Sequence, residues 1–280
     1  MLTVPEQLMH ATVRIECSLD AGGTSTGTGF FFRFLDDGVN HVPVIVTNKH
    51  VIAGATRGAF HLTRKGPNGD PLLGDHHRVE FDNFQNLWIP HPSEHVDLTV
   101  FPVASVINQA SKADLNYFYI TLAPNLIPDE TATEDLSGLD DIVMVGYPNG
   151  LWDSKNNLPI FRAGCTATHP KYDYEGMPYF LIDCACFPGS SGSPVFVYNP
   201  SGYKTRSGSI KMGAERLIFL GALFAGPQHV AEGSISVVEV PELAHVPRAI
   251  SRIPNNLGFV VKSQTLLDFE PILEARRGDA

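Results

Sequence analysis

The stretch CACFPGSSGSPVF, residues 184–196, places three serines (Ser190, Ser191 and Ser193) within four positions, between glycines and beside a proline. A Ser/Gly run is ordinarily a tight turn, because glycine reaches backbone conformations closed to other residues. Here the flanks are apolar: YFLIDCAC (179–186) precedes the turn and SPVFVY (193–198) follows it, and both read as strands. A turn held between two strands can present one hydroxyl to a reacting partner. Whether one of these serines is a nucleophile depends on what the rest of the chain brings to it.

Short strand-like runs recur outward from this stretch. HATVRIEC (10–17), GTGFFFRFL (27–35), VPVIVTNKHVI (42–52), RVEF (78–81), LWIP (87–90) and VDLTVFPV (96–103) lie on one side. DIVMVGYP (141–148), IFRAGCTAT (160–168), RLIFLGALFAG (216–226) and LGFVVKS (257–263) join the two flanking strands on the other. With 25 glycines and 21 prolines punctuating 280 residues, many short strands are favoured over long helices. An acidic run between 129 and 141 separates the two clusters and reads as a solvated connection. The expected fold is all-β: two packed six-stranded antiparallel β-barrels followed by a C-terminal helix. The first barrel spans 1–110, the linker 111–140, the second barrel 141–265 and the helix, from the spacing of LLDFEPILEARR, 266–280.

The net charge of −10, without a Lys/Arg cluster, disfavours nucleic acid and anionic membranes as partners. The opening MLTVPEQLMHATVRIEC has no basic n-region or continuous apolar h-region, so no signal peptide is expected. No apolar run is long enough for a membrane-spanning helix. Four cysteines (Cys17, Cys165, Cys184, Cys186) are too few for a disulfide framework, and their spacing does not suggest zinc. Reduced, mostly buried thiols in a cytoplasmic protein are expected. Cys184 and Cys186, two apart on a strand, share one face. Packing or pocket lining is their expected role, with redox sensitivity or metal binding as the alternative.

Serine at its free pKa is a poor nucleophile and needs a neighbouring base. A G-x-S-x-G elbow would require glycine at 193, where Ser193 stands, and a base and acid after the serine. The other known order, histidine then aspartate then serine, has specific candidates. His50 lies in TNKHVIAGA at the end of one strand, and Asp97 lies in EHVDLTVFPV at the start of another. Taken singly, each would be an ordinary polar or turn residue. HPSEH (91–95) also fits H-x-x-E-H, a zinc-peptidase pattern that needs a helix to align His91 with His95. Pro92 and the strand that follows at once argue against that helix, and no metal is expected.

Five segments, GTGF (27–30), TNKHVIAGA (47–55), VDLTVF (96–101), VGYPNGL (145–151) and CFPGSSGSPVF (186–196), occur in the order and at spacings that resemble the chymotrypsin/trypsin-like serine protease clan. Within that clan the likeness is to HtrA/Deg-type and bacterial trypsin-like peptidase domains without a PDZ module, and it covers roughly residues 10–270. The resemblance implies a serine endopeptidase working through an acyl-enzyme, without a cofactor. Ser191 would be the nucleophile, His50 the base and Asp97 its orienting acid. The backbone N–H groups of Gly189 and Ser191 would form the oxyanion hole. Substrate would be a protein or peptide. Ala185 would form the base of the P1 pocket, with Leu223, Phe224, Ala225, Gly226 and Gly258 as its walls. No acid stands at that base, so an apolar or aromatic P1 side chain is expected.

The chain departs from the pattern at several positions. Ser190 stands where zymogens carry an aspartate, Val51 where secreted members carry a disulfide cysteine, and Ser193 in place of a second glycine. Phe224 replaces a serine that sits near the triad aspartate in secreted relatives. Without a zymogen device, restraint would come from an occluding loop, a regulatory protein partner or a narrow substrate range. The alternative function is a protease-derived module that holds a peptide with little or no turnover.

Overall fold

The computed structural model describes residues 2–20, 22–225, 228–234, 248–254 and 256–278. The chain opens with α1 (Val4–His10), β1 (Thr12–Leu19), β2 (Thr24–Phe34), β3 (Val42–Thr47), α2 (Lys49–Ile52), β4 (Ala55–Lys65), β5 (Pro71–Asp82), β6 (Ile89–Pro90) and β7 (Thr99–Pro102). These strands form one antiparallel sheet in the order β5-β4-β1-β2-β3-β7-β6. Its two edge strands are consecutive in the chain and are joined by a 3-10 turn, Phe84–Leu87. Phe84 of that turn is fully buried, so a helical plug, rather than a hydrogen-bonded ladder, links the sheet's two ends around the first core.

The unit therefore has seven strands where the sequence suggests six. The additional strand is β4, ATRGAFHLTRK, whose basic residues and central glycine obscure any alternation. Gly58 is there because the Phe84 ring occupies the space a side chain would need.

α3 (Ala104–Lys112) and α4 (Glu130–Asp135) lie in the connection. The acidic stretch is docked rather than free. Asp129 caps α4 by accepting from the Ala132 N–H at 2.7 Å, and Leu136 is completely buried. The second unit contains β8 (Asp141–Gly146), β9 (Ile160–Thr166), β10 (Tyr179–Asp183), β11 (Pro194–Asn199), β12 (Gly202–Lys204), β13 (Ile210–Met212), β14 (Arg216–Ala225), β15 (Gln228–Ser234), β16 (Arg248–Pro254) and β17 (Leu257–Lys262). Six of them close a barrel in the order β10-β17-β14-β11-β8-β9. β12–β13 and β15–β16 form separate two-stranded hairpins, the latter within the insertion between Gly226 and Gly258.

The sequence's densest apolar runs belong to strands buried on both faces. Along β2, Phe30, Phe32 and Phe34 face the second unit, while Phe31 faces the first core, as the two-residue period of a strand requires. In β3, Val44 and Val46 face outward and Ile45 inward. The second barrel answers in kind. Phe196 of β11, Phe219 and Ala222 of β14 and Val261 of β17 face the first unit, while Val195, Val197, Leu220 and Val260 fill the barrel's own core. A third core thus lies between the two units. Phe219 sits at its centre, with its ring centroid 5.3 Å from both Phe30 and Phe196.

A 3-10 turn (Ser263–Phe269) leads into α5 (Glu270–Gly278), a later helix start than the sequence suggests. Leu266, Phe269 and Leu273 enter the shared core, so this segment wedges both units rather than capping the second alone. Among the described residues no helix is long and apolar enough to cross a membrane.

Phe219→Ala is expected to lose about 3–5 kcal/mol of stability through burial lost and the cavity left behind. Met212→Ser, at a position 87% exposed, should stay within about 0.5 kcal/mol of wild type. Urea unfolding of the two variants measures both.

Candidate active site

β3 ends at Thr47, and Asn48 is extended before the single turn of α2. Val51 and Ile52 anchor that turn in the first core, and His50 is left half exposed. α2 lies close on β2 because residue 27 is glycine: a side chain there would overlap Val51. Asp97 lies in the segment between β6 and β7. Its Oδ2 is 2.5 Å from His50 Nδ1, and its Oδ1 accepts from the His50 backbone N–H at 3.2 Å. A carboxylate only accepts, so the imidazole proton stays on Nδ1 and Nε2 keeps its lone pair.

The serine-bearing turn is fastened to the first unit through one residue, Thr28 of β2. Its N–H donates to the Ser191 carbonyl at 2.9 Å, and its Oγ1 donates to the Gly189 carbonyl at 2.9 Å. Thr47, three residues before His50, donates its hydroxyl to the Thr28 carbonyl at 2.7 Å. Gly192, at φ 86°, packs against this pair, and a side chain there would overlap the Thr28 carbonyl oxygen. Gly189, at φ 85°, leaves no room for a Cβ, which would stand 2.6 Å from the Tyr147 carbonyl oxygen. Both glycines are required by close approach as well as by backbone conformation.

Within the turn, the N–H groups of Ser190, Gly192 and Ser193 donate to the carbonyls of Phe187, Leu223 and Ser190. Among the described residues those of Gly189 and Ser191 have no acceptor. Both are free to donate to a bound group. Ser191 is the partly exposed serine, whereas Ser190 and Ser193 are buried, at 1% and 0% exposure. Among the described residues Ser191 Oγ and His50 Nε2 make no hydrogen bond, to each other included.

The residues expected to line a P1 pocket separate. Leu223 belongs to the barrel core, and Gly258 is buried against it: a Cβ at 258 would stand 2.6 Å from both Leu223 Cδ1 and Cys186 Sγ. The Phe224 ring lies 4.6 Å from that of Tyr179. Ala185 is half buried, Ala225 pairs with Phe259 at the end of β14, and Gly226 lies outside the described residues. Cys184 and Cys186 both face the barrel core, where burial pushes their thiols up, that of Cys186 to about 12. They therefore stay protonated and unreactive at neutral pH.

HPSEH is not helical. His91 is buried, accepts from the Ser93 N–H at Nδ1 and donates from Nε2 to the Thr265 carbonyl, both at 3.0 Å. Both ring nitrogens are thus used in holding the chain.

Thr28 is the residue that motif reading overlooks. Its signal was present, since it stands between the two glycines of GTGF, where a strand side chain has a backbone close against it.

Three comparisons place the chain. No curated protein matches the sequence. Among solved structures it is similar in fold to the Rv3671c protease of M. tuberculosis in its active form (15% identity, 93% of this chain and 79% of that one, TM-score 0.45). It is also similar to a mutant tobacco etch virus protease (11%, 94% and 77%, 0.46) and to the HtrA-type protease AlgW with a tripeptide (14%, 95% and 61%, 0.48). The sequence model described as trypsin-like peptidase domain matches residues 27–202. That match takes in more than half of the chain and all three residues His50, Asp97 and Ser191, and the chain belongs to the trypsin-like peptidase domain family.

Proposed function

We propose that this trypsin-like peptidase is a serine endopeptidase that cleaves protein or peptide substrates through an acyl-enzyme, with no cofactor. The observation that carries the reading is the 2.5 Å contact of His50 Nδ1 with Asp97, on a strand end to which the Ser191 turn is clamped. His50 Nε2 takes the Ser191 proton as Oγ attacks the carbonyl carbon and later returns a proton to the leaving amine. Asp97 holds the tautomer and stabilises the imidazolium. The unpaired N–H groups of Gly189 and Ser191 receive the charge that develops on the carbonyl oxygen, each such donor being worth about 2.7–4 kcal/mol of barrier. Water then attacks the acyl-enzyme by the reverse sequence of proton transfers.

An apolar P1 side chain fits the absence of an acid at Ala185. The free cysteines and Val51 in place of a bridging cysteine fit action in a reducing compartment such as the cytoplasm. A regulatory protein partner would supply the restraint that a zymogen device supplies elsewhere.

A fluorophosphonate probe is expected to label the wild-type protein, and Ser191→Ala to abolish labelling, with a chelator having no effect; gel fluorescence reads all three. A wild type that never labels would favour the peptide-holding alternative. Asp97→Asn is expected to slow labelling by about 10⁴-fold, because the imidazole then settles in the wrong tautomer. Peptide-library cleavage should favour apolar or aromatic P1 residues, and a preference for Arg or Lys would contradict this pocket assignment.

A further inference from the structure

Asp97 has few direct supports. Among the described residues its carboxylate meets only the backbone N–H and Nδ1–H of His50. What fixes it is the backbone on which it rides, held at one carbonyl after another. Lys49 Nζ donates to the Ser93 carbonyl at 2.8 Å, and Asn48 Nδ2 donates to that of Asp97 at 2.7 Å. Both of these clamps come from the His50 turn itself. The carbonyl between them, that of His95, accepts from Tyr179 Oη, at the start of β10 in the other barrel.

We propose that Tyr179 is a positioning residue for Asp97, holding the aspartate's segment against the second barrel so that the His50–Asp97 pair and Ser191 keep one frame. This rests on the serine-peptidase reading above. Tyr179 is suited to the task. Its ring is packed against Phe224 at 4.6 Å, and Phe224 against Phe259 at 5.8 Å, so the phenol is held by a cluster of tilted aromatic rings. Phe224 is one residue past Leu223, whose carbonyl receives the Gly192 N–H at 2.7 Å and whose N–H donates to the Ser193 carbonyl at 2.9 Å. A single short path therefore runs from the Ser191 turn through β14 to Tyr179 and on to His95, two residues before Asp97. Burial, and then the charge of Asp97, push the phenol upward, which keeps Oη a donor.

The test is the maximal rate of fluorophosphonate reaction at Ser191 in the full chain, with and without Tyr179→Phe, which removes the hydroxyl and keeps the ring. The maximal rate should fall about ten- to a hundredfold, with half-saturation unchanged and the thermal midpoint within about 2 °C of wild type. Tyr174→Phe, in the same aromatic cluster and 5.8 Å from Phe259 by ring centroid, should react as wild type does. In an Asp97→Asn background, Tyr179→Phe should change the rate by less than about twofold, since a group that acts through Asp97 has nothing left to position. An unchanged rate for Tyr179→Phe, or the same fold-loss in both backgrounds, overturns the proposal. A wild type that never reacts removes the peptidase reading instead, and this inference with it.

Discussion

The site depends on three hydrogen bonds at Thr28. Its N–H and hydroxyl hold the carbonyls of Ser191 and Gly189, and its own carbonyl is held by Thr47. The two hydroxyl bonds are buried, so leaving either unmade would cost more than it would in water. Through them a turn made in the second barrel is registered on the strand pair that carries His50. The glycines at 189 and 192 follow from the same constraint, since the turn can come this close only without side chains. Ser193, buried against Gly146, fits because the neighbouring strand leaves room in its place.

Much of this was legible in the residues. The strand runs FFFRF, VPVIV and SPVFV read as strands because they are apolar on both faces, and that two-sided pattern is explained by a third core between the units. Order and spacing single out His50, Asp97 and Ser191 as candidates, and the first two meet. What escaped was set by tertiary contact. β4 is hidden because its glycine accommodates the Phe84 ring, a partner 26 positions away that no local pattern reveals. The expected pocket walls were carried over position by position, and Leu223 shows the limit of that method: its place in the strand holds, but its side chain belongs to the core. At HPSEH, the proline that argues against a helix is matched by a non-helical backbone. Its metal-like spacing lies in a run of bends and turns, where His91 uses one ring nitrogen on the Ser93 N–H and the other on the Thr265 carbonyl.

The acidic connection and the final segment are less separate than their composition suggests. Leu122 and Leu126 pack with the shared core, as do Leu266, Phe269 and Leu273, so both connections are part of the seam they border. Phe269 lies 6.2 Å from Phe34 and 5.2 Å from His91 by ring centroid, which ties the end of the chain to the segment that carries the aspartate.

That arrangement has a consequence for the order of events during synthesis. A ribosome releases the seven-stranded unit that carries His50 and Asp97 before it releases the turn that carries Ser191. The turn that supplies Ser191 has nothing to bind until Thr28 and the outward phenylalanines of β2 are met by β11 and β14. Leu266, Phe269 and Leu273, which pack into the seam between them, emerge later still. On the serine-peptidase reading proposed above, the His50–Asp97 pair and the Ser191 turn can come together only after the second barrel has been made.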